Sequence, residues 1–229
     1  MKIKSVFLFL VLSLAGCVTV LGQERVIAEK EFRDIASSSL KRLQTVKYRR
    51  TMTSEVIRST GRTMSFSVLE SEPADRSRTL MIYMEGGTTR RFETVTIGST
   101  TYTRSNNEKW TVDSGSAPRE GFTVAPGRSG AAVDLKSGRT YKLFPSAKLG
   151  TQTTDIYQEN ETITFNSERG SGKTFAVRKM WINKEGVLLR SESSTANKDG
   201  PIQNTVLIYE HDPLIVIEAP IESKIEKRN

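Results

Sequence analysis

The chain has 229 residues, 34 Lys and Arg against 26 Asp and Glu for a formal charge of +8, and a single cysteine and a single histidine. One cysteine excludes an intramolecular disulfide and any zinc site built on paired thiolates. The basic surplus is spread along the chain with no aromatic-interleaved block, which argues against nucleic acid as a partner and leaves contact with an anionic membrane surface open.

Lys2 and Lys4 precede an apolar run from Val6 to Leu12, which continues through Leu14-Ala15-Gly16-Cys17 to Gly22. A basic start, a short apolar stretch and small residues near its end make a secretory signal, at the lower edge of membrane-spanning length. Two cleavage readings stand. Leu14-Ala15-Gly16-Cys17 looks like a bacterial lipobox, which would remove residues 1–16 and make Cys17 an acylated first residue. Val18-Thr19-Val20-Leu21 is apolar where a polar tether would follow, and Val20-Leu21-Gly22 before Gln23 equally fits removal of residues 1–22. Loss of Lys2 and Lys4 with that segment lowers the formal charge to +6. The remainder, 23–229, is long enough for one sizeable core and reads as a single domain. It is expected in the periplasm, soluble or lipid-anchored to a membrane.

From Glu24 to about Leu43 the residues Ala28, Phe32, Ile35, Ala36, Leu40 and Leu43 recur at steps of three and four. Charged Glu29, Lys30, Arg33 and Asp34 fall mostly between them, so the segment predicts an amphipathic helix. Its Phe32, Ile35 and Leu40 face should pack on a sheet. Everything after it reads as β. Val46, Tyr48, Met52 and Val56 share one parity, and Lys47, Arg49, Thr51, Thr53 and Glu55 the other. Met64, Phe66 and Val68 alternate with Thr63, Ser65 and Ser67, with Gly61 marking the turn between the two runs. Leu80 to Met84, the turn at Gly86-Gly87, and runs at Arg91–Ile97, Thr100–Thr103 and Lys109–Val112 continue the rhythm. Strands at this spacing predict a meander that curls into a barrel or a sandwich.

Ser114 to Arg139, rich in Gly, Ser and Pro, interrupts that rhythm. Loops of this length inside a compact domain are usually functional or mobile, and Ala131 to Lys136 is expected as a short helix within this one. Strands resume at Thr140–Phe144, Thr153–Gln158 and Ile163–Phe165. The stretch Phe175–Pro220 then reads as strand, turn at Asn183–Gly186, strand, polar loop Ser191–Gly200 and strand Thr205–Tyr209. A turn at His211-Asp212-Pro213 leads to a last strand, Leu214–Ile217. Strands apolar on both faces need cover on both.

Catalytic constellations are thin. His211 sits in an Asp-Pro turn, and Glu93, Asp113 and Asp134 are scattered without metal-ligand spacing. Gly170-Ser171-Gly172-Lys173-Thr174 mimics the end of a phosphate-binding loop, but Ser167 stands where its first glycine belongs and the segment joins two strands. Asn160-Glu161-Thr162 matches a glycosylation sequon by pattern alone. The chain is read as a non-enzyme that needs no cofactor and no metal.

The run Glu93-Thr94-Val95-Thr96-Ile97-Gly98-Ser99-Thr100-Thr101-Tyr102 with Trp110 resembles a strand, glycine turn, tyrosine strand and tryptophan block of LolA-like lipoprotein carriers. Trp181 to Arg190 resembles the late hairpin of that superfamily and of the mycobacterial LppX and LprG lipid carriers. Tyr209 to Pro220 resembles its C-terminal strand. The helix-first order of the family covers nearly the whole chain after the signal. The resemblance implies a mainly β fold with few helices (α+β), a half-open, strongly curved antiparallel barrel covered by the N-terminal helix and a loop or short-helix lid. Such a barrel encloses an apolar cavity for acyl chains. No functional residue of the family is matched closely enough to carry over.

The expected function is therefore a periplasmic or envelope carrier that binds lipid or lipoprotein acyl chains non-covalently, as a monomer. Its partners would be a lipid or an acylated lipoprotein. Tyr48, Met52, Met64, Phe66, Leu80 and Ile82 are the expected cavity wall, since methionine-rich apolar faces suit variable chains. Ser67 is assigned to the opposite, harmless parity, and Ser114–Arg139 to the gate. The alternative is a lipid-anchored envelope interaction protein with a packed interior and no ligand.

Overall fold

The computed structural model describes residues 23–73, 75–106, 108–114, 134–167, 170–197, 200–221 and 225–227. Long β runs joined by tight turns pair with their sequence neighbours, and the chain accordingly builds two antiparallel meanders. The first is β2 (Tyr48–Arg58), β3 (Gly61–Glu72), β4 (Arg76–Glu85), β5 (Thr88–Ile97), β6 (Thr100–Ser105) and β7 (Trp110–Ser114). The second is β8 (Asp134–Leu149), β9 (Gln152–Ser167), β10 (Gly170–Asn183), β11 (Leu188–Asn197) and β12 (Ile202–His211). Pairing of β12 with β2 joins them into one 13-stranded sheet, completed by β1 (Arg25–Val26) beside β8 and β13 (Ile225–Lys227) parallel to β7. The sheet is not closed. Its edges carry only the two- and three-residue strands β1 and β13, which limits the free ladder available for edge pairing.

The helix α1 (Glu29–Leu43) lies over one face, across the ends of β8 to β12. Phe32, Leu43 and Ser39 are its buried residues, and Ile35 and Ala36 pack beside them. Leu40, expected in that stripe, is 50% exposed: the buried line runs 32, 36, 39, 43, and Leu40 falls to its side. Beneath α1 lie Tyr141, Met180, Ile182 and Leu188. The Arg42 guanidinium donates to the Glu185 carbonyl, tying the helix C-terminus to the β10–β11 turn. That turn is held by Asn183, whose side-chain oxygen accepts from the amides of Glu185 and Val187, and by Gly186 at φ +78°.

Part of the other face is covered by the segment after β12. Residues Leu214–Ile217 alternate as a strand would, with Ile215 and Ile217 buried and Leu214 and Val216 exposed, but they form no strand. Pro213 and Pro220 flank the run, and each removes an amide donor. It is a strap whose Ile215 and Ile217 pack on Val95 and Trp110. Lys47 donates to the Ile215 carbonyl and Arg76 to the Ile217 carbonyl, while the Ile217 amide donates to Glu72. The hydrogen bond from Lys47 holds the Glu72 carboxyl below the usual carboxylate range. Ile217→Ala is expected to cost about 2–5 kcal/mol in urea denaturation, and Val216→Ala no more than about 0.5.

Three further expectations are corrected. Asp134–Lys136 is the start of β8, not part of a short helix, and Asp134–Arg139 all belongs to that strand. Ser191–Asn197 is strand, because pairing on both edges by β10 and β12 satisfies a run that polarity alone marks as loop. Gly170–Thr174 opens β10, where a Cβ on Gly172 would come within 2.2 Å of the Phe165 ring, so this glycine makes room for an aromatic across the ladder. Residues 115–133 of the expected gate, the signal segment 1–22 and Cys17 lie outside the described residues.

Candidate functional site

Directly paired residues of antiparallel strands share a face, so the register sorts every side chain of the sheet. One continuous row on the α1 face runs Leu143, Tyr157, Met180, Ser191, Leu207, Met52, Ser67, Met81, Phe92 and Ser105, one residue from each of ten strands. The helix packs against the first three. Beyond it, Leu207, Met52 and Met81 are half-buried, and Phe92, 39% exposed, meets Tyr83 edge-on at 6.2 Å. Ser67, between the two methionines, is 3% exposed. A serine thus follows every two or three large side chains along the row, and no residue in it is charged.

Clefts open along this face. One of about 350 Å³ lies between Ile35, Ser38 and Arg42 of α1 and Asp155, Tyr157 and Ile182. A second of about 400 Å³ lies between Phe32, Ala36 and Leu40 and the charged Arg139, Glu159, Glu161 and Arg178. A third of about 560 Å³ sits at the far end, beside Tyr83, Arg90 and Phe92. Each is open to solvent and within the size range of small-molecule sites.

The six residues expected to form one wall are divided by the register. Tyr48 and Met52 lie on the α1 face. Met64, Phe66, Leu80 and Ile82 lie on the opposite face, where Phe66 pairs with Ile82 and Met64 with Met84. The cause is the turn Ser59-Thr60: with Arg58 paired to Gly61, Met52 stands opposite Ser67 and Thr53 opposite Phe66. Ser67, assigned to the harmless parity, is therefore the buried one. Met81, Leu207 and Phe92 join Met52 instead, and the signal for them was the length of each turn.

The opposite face carries most of the charge pairs. Arg49 meets Glu70 at 3.0 Å and Asp212 at 3.5 Å. Glu93, whose side chain is 1% exposed, lies between Arg91 and Arg104, and Arg104 stacks 4.6 Å from the Trp110 ring centroid. These are structural pairs beneath and beside the strap. His211 ends β12 opposite Tyr48. Among the described residues no cluster of His, Cys, Asp and Glu could hold a metal ion, and no helix is long and apolar enough to cross a membrane.

No family model and no curated protein matches the chain. Solved structures do. The chain is similar to a LolA superfamily protein from Nitrosomonas europaea, at 9% identity over 84% of this chain and 96% of that one, with a TM-score of 0.32. It is similar to an outer membrane lipoprotein-sorting protein domain from Vibrio parahaemolyticus, at 11% identity over 82% and 94%, with a TM-score of 0.29. A DUF1329 family protein from Desulfovibrio piger matches at 9% identity over 82% and 94%, with a TM-score of 0.30. At such identities and TM-scores they assign no residue a role.

Proposed function

We propose that the protein is an exported carrier of the cell envelope that holds acyl chains of a lipid or lipoprotein, non-covalently, on the α1 face of its open sheet. The observation that carries this reading is the uncharged row Leu207, Met52, Ser67, Met81 and Phe92, which continues the helix-covered core into half-exposed surface. Methionine side chains re-pack around differing partners, which suits a half-exposed apolar row to holding chains of varied shape. A buried methylene contributes about 0.8 kcal/mol, so ten of them reach about 8 kcal/mol, the scale of a micromolar dissociation constant before ordering costs. The secretory pattern of residues 1–22 and the resemblance to lipoprotein carriers support the same compartment and the same class of cargo.

Met81 and Ile82 are neighbours on β4, both half-buried, and they face opposite ways. Met81→Glu is expected to weaken binding of uncharged 1-palmitoylglycerol at least about tenfold, since a carboxylate placed against the chain must be desolvated or neutralised. Ile82→Glu should change it less than about threefold. Titration calorimetry, with thermal melts as the folding control, checks this. Equal losses in the two folded variants, or no binding by the parent protein, would leave this face as plain core.

A further inference from the structure

We infer that Arg50 holds the oxyanion head of the acyl ligand, so that the α1 face selects acidic amphiphiles, with a carboxylate or phosphate on an apolar chain, over uncharged ones. This rests on the acyl-carrier reading above. Arg49 and Arg50 are consecutive and face opposite ways, and their surroundings differ in kind. Arg49 is paired with Glu70 and Asp212. Arg50 forms no ion pair among the described residues, and its Nε is buried without a hydrogen-bond partner. Register sets it between Tyr209 and Leu69, with Tyr48 and Met52 on either side along its own strand.

No described carboxylate stands near it on this face. Across β11, β12, β2, β3 and β4 the α1 face carries one acidic side chain, Glu85, which is level with Thr63. Thr63 is six residues along β3 from Leu69, about 20 Å at ~3.3 Å per residue. The guanidinium meets the Tyr209 hydroxyl, but it has no carboxylate counter-ion among the described residues and its buried Nε has no hydrogen-bond partner, so its lost hydration is only partly replaced. A carboxylate or phosphate supplies both the charge and the paired acceptors that the guanidinium fork fits. The Tyr209 phenol lies beside Arg50. Burial pushes its pKa up and Arg50 only partly opposes this, so it stays protonated as a second donor. Met52 and Leu207 begin the apolar row next to this pair, so a head held at Arg50 lays its chain along that row.

The test uses the purified protein after export, stripped of bound lipid, and three probes below their micelle concentrations: dodecanoate, dodecyl phosphate and uncharged 1-dodecanoylglycerol. Both anions are expected to bind at least about tenfold tighter than the glycerol ester, the scale of one charge-assisted hydrogen bond. Arg50→Gln should reduce the anions to the affinity of the ester and leave the ester unchanged, while Arg50→Lys should retain part of the preference. Either order of the two anions supports the inference: carboxylate first indicates a fatty-acid source, and phosphate first a phospholipid source. Equal binding of all three probes by the parent protein overturns the role of Arg50 while leaving the carrier reading intact, and it needs no variant to fold. Persistence of the preference in Arg50→Gln also overturns it. Failure of all three probes to bind overturns the carrier reading and the head-group site together.

Discussion

Glu93→Ala is expected to lower folding stability by about 3–5 kcal/mol in urea denaturation at neutral pH, because it breaks a buried pair by removing one partner. The Glu93 carboxylate accepts from Arg91 at one oxygen and from Nε and Nη2 of Arg104 at the other, at 2.9 and 2.6 Å. Without it, Arg104 is left over Trp110 with no counter-ion at the edge of the core formed by Val95, Ile215 and Ile217. Glu93→Gln keeps the volume and part of the hydrogen bonding, so its loss should be smaller. Burial by itself pushes the Glu93 carboxyl up, but the hydrogen bonds and charges of Arg104 and Arg91 outweigh it and hold the carboxyl below the usual range. A carboxyl lowered on folding contributes stability that is fully present above its unfolded value, about 4.3, and is lost as pH falls through the lower native value. Stability measured against pH should therefore fall in that acid window for the parent protein, and fall less steeply for Glu93→Gln. Equal slopes would show that the pair contributes nothing to acid sensitivity.

Much of the architecture is legible in the sequence, and the part that is not has a definable cause. The α1 stripe and the β runs with their glycine turns predict most of the elements, because 3.6- and 2-residue periods are local properties, but the helix expected from Glu24 begins at Glu29, with Arg25–Val26 drawn into the sheet by pairing with β8. Which face each strand shares with its neighbour is not local. A two-residue turn between paired ends, such as Ser59-Thr60, reverses the odd–even correspondence of the strands, whereas the three residues 73–75 between Glu72 and Arg76 preserve it. Strand β3 has apolar residues at both parities, Phe66 and Val68 on one and Leu69 on the other, so hydrophobicity alone cannot choose its inner face. The half-exposed row on the α1 face is therefore only partly legible: Met52 belongs to the expected wall, whereas Met81 and Phe92 join it through a parity shift in the turns. Arg50 was hidden by its sequence neighbour, since one of two consecutive arginines on a basic chain carries no mark of being unpaired. The polar strand β11 and the strap at Leu214–Ile217 failed in opposite senses. Partners on both sides make a strand of the first. The second has the right alternation and no described strand partner.

Phe32→Ala should cost about 3–5 kcal/mol, with the α1 helix and the sheet beneath it unfolding together at a lower urea midpoint. An isolated helix of 15 residues is marginal in water. This one has Ala28 at its N-cap position and no side-chain cap, so packing must supply what capping does not. Glu29 and Glu31 in the first turn and Lys41 and Arg42 in the last complement the helix dipole, each by a few tenths of a kcal/mol. Phe32 is the largest contributor to the packed side, 3% exposed, with its ring 5.0 Å from that of Tyr141. Alanine there leaves a void between Tyr141, Met180 and Leu43 that surrounding side chains fill only in part. Leu40→Ala, at a position half exposed above the cleft, should cost less than about 1 kcal/mol. The same measurement separates two roles for the helix. If far-ultraviolet signal and tryptophan fluorescence shift to a common lower midpoint in Phe32→Ala, α1 is part of the cooperative core. If the helix signal is lost first, with the sheet midpoint unchanged, α1 is a separately opening cover whose release exposes the row at Met180 and Tyr157.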